Sequence, residues 1–538
     1  MENLKFVYNN SKGYVAKIVV YFLLCIFAWV ISISMPYLMG QFIDGLVYTK
    51  TLQVIIRFVL IIVTFSVLDV IITYIVTMLA VNFKTRIVYN INYRLIEYVK
   101  HLPLEFFDKV DSTYLNQRIN QDSNQIVNFV YDNIFGFLVN IFTVIGLVVV
   151  IGRINFGVLV ILLIIIPSYI ICYYVFKPKL YNNSLELKEN QNKFFARMNE
   201  QFKVVKQIKI NVWFDEFGKR MDEKFEFVFK STLKSTKTTF LYNNFLKIFR
   251  SLCTTFLIAY GGYEILNGKM TVGNFTMINS YLLMLLDTTG FYLKFGQYWQ
   301  ENLVCWNRIN EILNIPKDIN GVKRINQINK IKISKLNFSY SNDNEIIKDF
   351  SYELTKGNIY GIVGSNGIGK STLIDLIAGL RYSYEGHIFY DEYNIKDLDM
   401  YFIRKNLISF VEQEPLLLQD SISNNITFGI DKYDNVYYEE LCEKFKIKDL
   451  LSSKINGNIM VSENNSNISG GEKQKISIIK SLLKNPEILI LDEPISALDT
   501  NSIQVLKEKL SDIKESKIII VVSHNNKIMD IVDNVIQL

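Results

Sequence analysis

The stretch Gly364-Ser365-Asn366-Gly367-Ile368-Gly369-Lys370-Ser371 decides the fold of the second half of this chain. It follows an apolar run at 359–363 that predicts a short buried strand, and it precedes a run at 372–378 that predicts a helix. A glycine-rich loop in this position turns its backbone N–H groups towards phosphate, and the helix dipole adds positive potential. Lys370 can reach the outer phosphates and Ser371 can hold Mg²⁺. The stretch predicts a nucleotide-binding P-loop.

The composition divides the chain of 538 residues into two halves. Half of the residues are hydrophobic, the mean hydropathy is +0.18, and the apolar blocks lie before about residue 300. The first half is therefore expected in a membrane and the second in solution. A net charge of +6, without one basic run, does not favour a nucleic-acid partner. Five widely spaced cysteines and three histidines indicate neither a disulfide framework nor a histidine-rich metal site.

Six apolar segments precede residue 300, and each is long enough to cross a bilayer. They lie near 15–38, 54–81, 129–152, 154–176, 240–265 and 273–297. The short connections hold one Lys or Arg each, whereas the long connections at 82–128 and 177–239 hold six and fourteen. Because basic loops stay in the cytoplasm, the long connections, both chain ends and the soluble half are predicted to be cytoplasmic.

The long connections have helix-compatible patterns, which predict transmembrane helices that continue into the cytoplasm. Two turning points, or tips, are predicted, at 101–108, where Pro103 interrupts the helix, and at 211–216. Exposed aromatic residues there favour docking onto another domain, and packing within the helical stalk is the alternative. Asp69 and Asp287 lie within apolar segments. One or both are expected to line a path for a cationic or polar substrate; a structural ion pair or a position near the interface is the alternative.

The soluble half alternates short apolar strands with helices, which predicts an α/β domain after a polar linker. One strand, at 488–491, leads into Asp492 and Glu493, and another, at 518–522, leads into Ser523 and His524. Asp492 would hold Mg²⁺ and Glu493 would polarise the attacking water. His524 would contact the γ-phosphate, and a purely structural histidine is the alternative.

A second glycine element, at 468–474, opens another predicted helix and offers a second anion cradle. One nucleotide does not need two cradles in one domain. The order of the motifs resolves this, because the chain resembles the ATP-binding cassette (ABC) transporters, specifically the exporter-type half-transporters with six helices ahead of one nucleotide-binding domain. The residues that carry the resemblance are the P-loop with Thr372; Tyr340 for adenine; Gln413 of the Q-loop; Ser469, Gly470, Gly471 and Glu472 of the signature; Asp492 and Glu493; Asp499 of the D-loop; and His524.

The resemblance implies ATP and Mg²⁺ as cofactors and a second half-transporter as partner, since the signature of one subunit serves the nucleotide of the other. It implies Glu493, His524 and Gln413 as catalytic residues, and Ser371, Gln413 and Asp492 as metal-site residues. Three departures stand out: Glu472 replaces the usual glutamine, Ile468 replaces leucine, and 461–467 lacks the usual glycine-rich acidic pattern. The resemblance also implies that the tips at 102–108 and 213–216 serve as coupling regions.

The sequence thus predicts a transmembrane domain at 1–315, a linker at 316–330 and a nucleotide-binding domain at 331–538. It predicts a multi-pass, ATP-driven exporter in a bacterial cell membrane, working as a homodimer or as a heterodimer with a degenerate half. A peptide is the favoured cargo, and a lipid or drug is the alternative. An exporter-shaped importer and an ATP-gated receptor or channel remain as rival functions, whereas the apolar segments exclude a soluble cassette protein.

Overall fold

The computed structural model describes residues 2–48, 52–110, 112–341, 344–448, 461–462 and 467–538. The chain forms two compact units. The helical unit comprises Met1–Glu97 and Thr113–Asn314, and the cassette unit comprises Tyr98–Ser112 and Ile315–Leu538. The cassette unit is therefore discontinuous in sequence, because a short segment between two long helices belongs to it.

The helical unit is built from long helices. Their bounds are α1 Glu2–Ser11, α2 Val15–Tyr48, α3 Leu52–Val99, α5 Ser112–Asn128, α6 Phe135–Ile154, α7 Phe156–Lys203, α8 Val205–Asn211, α9 Phe214–Leu266 and α10 Val272–Leu313. A π-helical turn, Phe129–Ile134, joins α5 to α6 into one path. Six long helical paths result among the described residues, which confirms the predicted six-helix architecture.

In the part of the chain that the structure describes, three helical paths are long and apolar enough to cross a membrane: Asn3–Tyr48, Ile55–Val99 and Arg118–Ile154. Their most apolar windows have mean hydropathies of 2.6, 2.6 and 2.8, yet at most 17% of each window is buried within the protein. Such exposed apolar surface needs lipid around it. The other predicted spans, near 154–176, 240–265 and 273–297, lie on α7, α9 and α10.

The long helices continue beyond their apolar segments, as predicted. Residues 83–98 belong to α3, and α7 runs on to Lys203. The chain turns where the sequence indicates: Pro103 is the N-cap of the short helix α4, Leu104–Phe107, and α8 ends at Asn211 shortly before α9 begins. Among the described residues, glycine allows one close approach of helices, since a Cβ on Gly273 of α10 would overlap the carbonyl oxygen of Gly40 on α2.

The cassette unit contains two sheets. Its strands are β1 Lys330–Ser341, β2 Asn344–Thr355, β3 Asn358–Val363, β4 Glu385–Tyr390, β5 Tyr393–Asn394, β6 Ile408–Val411, β7 Ile488–Asp492, β8 Ile518–Val522 and β9 Asn534–Gln537. Its later helices are α11 Lys370–Ile377, α12 Met400–Asn406, α13 Ile422–Thr427, α14 Asn435–Lys444, α15 Gly470–Leu483, α16 Thr500–Ile513 and α17 Asn526–Met529.

The larger sheet has the strand order β6-β7-β8-β3-β9, and every pairing in it is parallel. All residues of β7 and β8 are buried, because apolar clusters cover both faces of the sheet. The smaller sheet is antiparallel, with the order β2-β1-β4-β5. The predicted strands at 359–363, 488–491 and 518–522 and the helix after the P-loop are confirmed.

Candidate functional site

Four neighbouring parallel strands deliver polar residues to one edge of the larger sheet. The P-loop follows β3, Asp492 ends β7, His524 comes just after β8, and Gln413 comes just after β6. Since β7, β8 and β3 lie side by side and parallel, their carboxyl ends meet at the same edge. Ligands of open α/β sheets bind at this edge. The fold therefore gathers residues that are far apart in sequence.

The P-loop backbone has the conformation that only glycine adopts readily. Gly367 and Gly369 have φ values of +82° and +112°, and a Cβ on Gly369 would overlap Ile346 Cγ2. Gly369 is also the N-cap of α11, so the first N–H groups of this helix face the loop. Lys370 Nζ donates to the carbonyl oxygens of Gly364 and Ser365 at 2.8 and 3.1 Å. The ammonium is thus held inside the loop.

Ser371 and Asp492 form the polar contact at the base of the loop. Ser371 Oγ donates to Asp492 Oδ2 at 3.0 Å. Only 9% of Asp492 is exposed, and this burial raises the pKa of its carboxyl group. A buried carboxylate that has a neutral hydroxyl as its hydrogen-bond partner still needs positive charge nearby. The two oxygens are the donor types that Mg²⁺ prefers, so these residues fit a magnesium site.

Glu493 is held through its backbone and its side chain. Its N–H donates to Val522 O at 2.9 Å and its φ of +45° is left-handed, so the chain turns sharply after β7. Ser523 Oγ donates to Glu493 Oε2 at 3.3 Å, and Gln474 Nε2 donates to Glu493 O at 2.9 Å. Ser523 thus orients the carboxylate at the sheet edge, while Val522 and Gln474 hold the backbone of Glu493.

His524 reaches the P-loop lysine. Its Nε2 atom lies 2.7 Å from Lys370 Nζ. Because a protonated lysine can only donate, Nε2 is the acceptor in this contact. His524 therefore lies beside the P-loop lysine in this structure, and its contact with a γ-phosphate stays a prediction.

Tyr340 and Gln413 lie at the margins. Tyr340 is 45% exposed, and its hydroxyl lies 3.0 Å from Thr372 Oγ1 on α11. The Arg381 guanidinium lies 4.9 Å from the centre of the Tyr340 ring. Gln413 is exposed just beyond β6. The Tyr340 ring has exposed apolar surface beside the P-loop, as adenine stacking requires.

The signature forms the start of α15. Ser469 is its N-cap and makes a capping box with Glu472, whose carboxylate accepts from Ser469 N and Ser469 Oγ at 2.7 Å each. Gly471 lies against Ala497, where a Cβ would be 2.6 Å from the carbonyl oxygen. Within the described ranges, no hydrogen bond joins Ser469, Gly470, Gly471 or Glu472 to the P-loop. Most of the predicted departure at 461–467 lies outside the described residues.

The D-loop residue Asp499 is tied to the signature helix. Lys475 Nζ donates to Asp499 Oδ2 at 2.6 Å, and Asp499 caps α16 by accepting from Ser502 N. The hydrogen bond from Lys475, followed by that from the Ser502 backbone, lowers the pKa of Asp499. Sequence reasoning missed Gln474 and Lys475, although both directly follow the signature and carry long polar side chains.

The two predicted membrane acids do not share one environment. Asp287 on α10 is exposed and lies 3.5 Å from Arg250 Nη1 on α9. Asp69 on α3 is partly buried. Sequence reasoning missed Asp44 on α2, which accepts from Thr271 Oγ1 and Gly273 N at 2.7 Å each. The ion pair at Asp287 matches the structural alternative, and the pathway role of both acids stays a prediction.

Two family models match the chain. The model described as the ABC transporter transmembrane region covers residues 18–289, and the model described as ABC transporter covers residues 347–496. The first falls on the helical unit, apart from residues 98–112 of the cassette unit, and the second falls on the cassette unit. The second match includes the P-loop, Gln413, the signature and the Asp492–Glu493 pair.

Curated relatives match over most of this chain. ABC transporter B family member 1 of Dictyostelium discoideum is 26% identical over 97% of this chain, which spans only 58% of that protein. The ATP-dependent lipid A-core flippase of Syntrophus aciditrophicus is 27% identical over 82% of this chain and 74% of its own length. The lactococcin-G-processing and transport ATP-binding protein LagD of Lactococcus lactis is 26% identical over 82% of this chain and 64% of its own length.

The fold also matches a solved structure, that of a bacterial Atm1-family ABC exporter with ATP bound. The TM-score is 0.84 at 20% sequence identity, and the match covers 97% of this chain and 94% of that one. Together with the two family models, this similarity accounts for both units and for their order. The chain belongs to the ABC transporter family, as an exporter-type half-transporter with a helical transmembrane region followed by one ATPase domain.

Proposed function

We propose that this protein is an ATP-driven exporter that works as a homodimer with two active sites. As a member of the ABC transporters it binds ATP, hydrolyses it and couples hydrolysis to transport across a membrane. The observation that carries the residue roles is the meeting of Lys370, Ser371 and Asp492 with Glu493 and His524 at one sheet edge.

Each residue at this edge has a distinct task. The P-loop N–H groups and Lys370 hold the phosphates, and Tyr340 stacks on the adenine. Ser371, Asp492 and Gln413 would hold Mg²⁺, which neutralises phosphate charge when bound. Glu493 accepts the proton of the attacking water, and Ser523 keeps its carboxylate in place. His524 exchanges its hydrogen bond with Lys370 for one to the γ-phosphate.

The signature supports a dimer. Ser469, Gly470 and Gly471 face their own D-loop region, and the described residues contain no hydrogen bond from them to their own P-loop. They are therefore free to serve the nucleotide of a second cassette. Since Lys370, Asp492, Glu493 and His524 are all present, two copies of this chain make two complete sites. A heterodimer with a degenerate half-transporter is the alternative.

We propose a peptide as cargo, moved out of a bacterial cytoplasm by a multi-pass protein whose two ends are cytoplasmic. The name of the Lactococcus relative supports a peptide, whereas the name of the Syntrophus relative supports a lipid. These classes are separated by measuring transport across the membrane of liposomes that contain the protein, with a peptide, a lipid or a drug supplied inside or outside. Movement of one class away from the side that holds the cassettes and ATP identifies the cargo and excludes an importer.

Asp69 and Asp287 are proposed to favour a cationic or polar cargo along its path. The amide variants Asp69→Asn and Asp287→Asn should lower transport of a cationic peptide more than that of a neutral one. A double variant that keeps the wild-type ratio of cationic to neutral peptide transport would reject this role and leave Asp287 as the structural partner of Arg250.

The deciding experiment compares ATP hydrolysis by the wild type and by Glu493→Gln in lipid. Loss of a general base lowers turnover by about 10²- to 10⁴-fold, whereas ATP binding should persist because the phosphate contacts remain. Glu515→Gln is a matched control on the exposed turn Lys514–Ser516. Equal turnover in Glu493→Gln and the wild type would reject the role of Glu493. Binding without turnover in the wild type would instead favour an ATP-gated receptor or a missing partner half.

A further inference from the structure

Arg381 is a buried cation at the centre of the cassette unit that none of the family motifs contains. It lies four residues after the end of α11, and its side chain is only 6% exposed. A guanidinium stays charged at any physiological pH, so it must find negative or aromatic partners when it is removed from water. The partners of this residue therefore reveal what its burial holds together.

One partner lies on the segment between α3 and α5, Tyr98–Ser112, which we call the tip segment. Arg381 Nη1 donates to Asp108 Oδ2 at 2.7 Å, and Nη2 donates to Asp108 Oδ1 at 3.4 Å. Two parallel donors on one carboxylate fix its orientation as well as its distance. The tip segment is covalently continuous with both long helices.

A second partner lies on the helix that follows the P-loop. Arg381 Nε donates to Asp375 Oδ2 at 3.1 Å, and Asp375 lies one helical turn after Ser371. Burial raises the pKa of Asp375, and the hydrogen bond from Arg381 opposes that change. The guanidinium is thus fixed relative to α11 by one carboxylate and relative to the tip segment by another.

The third partner is Tyr340. The guanidinium carbon lies 4.9 Å from the ring centre, within the range of a cation–π contact. The Tyr340 hydroxyl is within hydrogen-bond distance of Thr372 Oγ1 at 3.0 Å. These two contacts fix the tilt of a ring that is otherwise 45% exposed. Because stacking needs a ring in a defined plane, the position of Arg381 controls how well Tyr340 can receive adenine.

We propose that Arg381 is a positioning residue that couples adenine binding at Tyr340 to docking of the tip segment through Asp108. Docking of Asp108 holds the guanidinium beside the ring, and adenine on the ring favours the same guanidinium position. Such coupling is reciprocal, so each event strengthens the other by the same factor. The inference rests on the proposed role of Tyr340 and adds to it a route from the nucleotide base to the two long helices.

The test uses the full-length protein in lipid with Arg381→Met, Asp108→Asn and the double variant. Arg324→Met is the matched control, because Arg324 also pairs with a carboxylate, Asp399, and lies 4.9 Å from an aromatic ring, Phe402. The first readout is the affinity for ATP and for inorganic tripolyphosphate, which lacks the base. The second is amide hydrogen exchange of residues 98–110 with and without ATP.

Arg381→Met and Asp108→Asn should each weaken ATP binding about fivefold or more, in line with typical coupling between sites. Tripolyphosphate binding should change by less than twofold. The double variant should bind ATP no more weakly than Arg381→Met, and ATP should protect residues 98–110 in the wild type and in Arg324→Met only. At saturating ATP the variants should recover turnover, so that KM changes more than kcat.

Three outcomes would overturn the proposal. Equal losses for ATP and tripolyphosphate would mean that Arg381 acts on the phosphate end or on the fold. Unchanged ATP affinity in Asp108→Asn would remove the tip segment from the coupling. Unchanged ATP affinity in Tyr340→Ala would show that Tyr340 does not bind adenine, which is the premise of the coupling. Loss of turnover in Glu493→Gln would in that case still support an ATP-driven pump.

Discussion

The replacement of Glu472 by glutamine should tighten ATP binding. In this structure the Glu472 carboxylate accepts the Ser469 hydroxyl at 2.7 Å and the Ser469 N–H at 2.7 Å. For the proposed role of the signature, the same hydroxyl must donate to a phosphate of the nucleotide on the second subunit. The carboxylate competes for that proton and also repels the phosphate, so a neutral amide should favour the nucleotide.

The size of this effect follows from the hydrogen bond that must be broken. A hydrogen bond to a charged group contributes about 1.5–3 kcal/mol and a neutral one about 0.5–1.5 kcal/mol, so the change removes roughly 1 kcal/mol of competition. Since 1.4 kcal/mol corresponds to a tenfold change, the apparent KM for ATP should fall about fivefold. The capping box should weaken at the same time, because a helix N-terminus favours negative charge by about 0.3–1 kcal/mol.

The assay measures ATP hydrolysis in liposomes as a function of ATP concentration. Glu508→Gln is the charge-matched control, since Glu508 lies on α16 and accepts from Gln504. A lower KM in Glu472→Gln, with an unchanged KM in the control, is expected. An unchanged or higher KM would refute the competition between Glu472 and phosphate for Ser469.

Three further predictions concern stability. Gly369→Ala should lower the free energy of unfolding by roughly 1–3 kcal/mol, because its φ is +112° and the new Cβ overlaps Ile346; the thermal midpoint with and without ATP checks this. Burial lowers the pKa of Lys484 to about 8, so above that pH the unfolded state binds more protons than the folded state. The free energy of unfolding of the wild type should therefore rise from about pH 8 to pH 10. Melting at several pH values should show a flatter rise in Lys484→Met. The hydrogen bond from Lys475 lowers the pKa of Asp499, so the carboxylate stabilises the fold above about pH 4 and this stabilisation is lost as the pH falls below the ordinary Asp pKa. The melting temperature of Asp499→Asn should therefore depend less on pH between about 5 and 3 than that of the wild type.

Local patterns predicted which strands and loops bring the candidate site residues to one edge of the larger sheet. The apolar runs before Gly364 and Asp492 required buried strands, and strands of a parallel sheet end at the same edge. The six long helices also followed from the sequence, because apolar segments of that length and helix-compatible connections leave few alternatives. The physical reason is the same in both cases: hydrophobic periodicity and backbone requirements are local properties.

The contacts of Arg381 were not predictable in this way. Its partner Asp108 lies 273 residues away in the predicted tip at 101–108, and no spacing in the sequence pairs the two residues. The capping use of Glu472 is an intermediate case: the Ser-x-x-Glu spacing is a known cap signal, although in the sequence Glu472 stood out as a signature residue that replaces the usual glutamine. Long-range pairs depend on tertiary packing, which a single sequence does not encode in its spacing.

The discontinuous cassette unit has a consequence for biosynthesis. The ribosome makes Asp108 long before Arg381, and at 5–20 residues per second their separation corresponds to roughly 10–60 s. During that interval the tip segment lacks the cassette residues that it contacts in the folded protein. The apolar helices on either side of it already require insertion into the membrane. The tip segment can therefore pack into the cassette unit only after the cassette has been translated and the helices have been inserted. A weak Asp108–Arg381 pair would be expected to reduce the yield of folded protein as well as its activity.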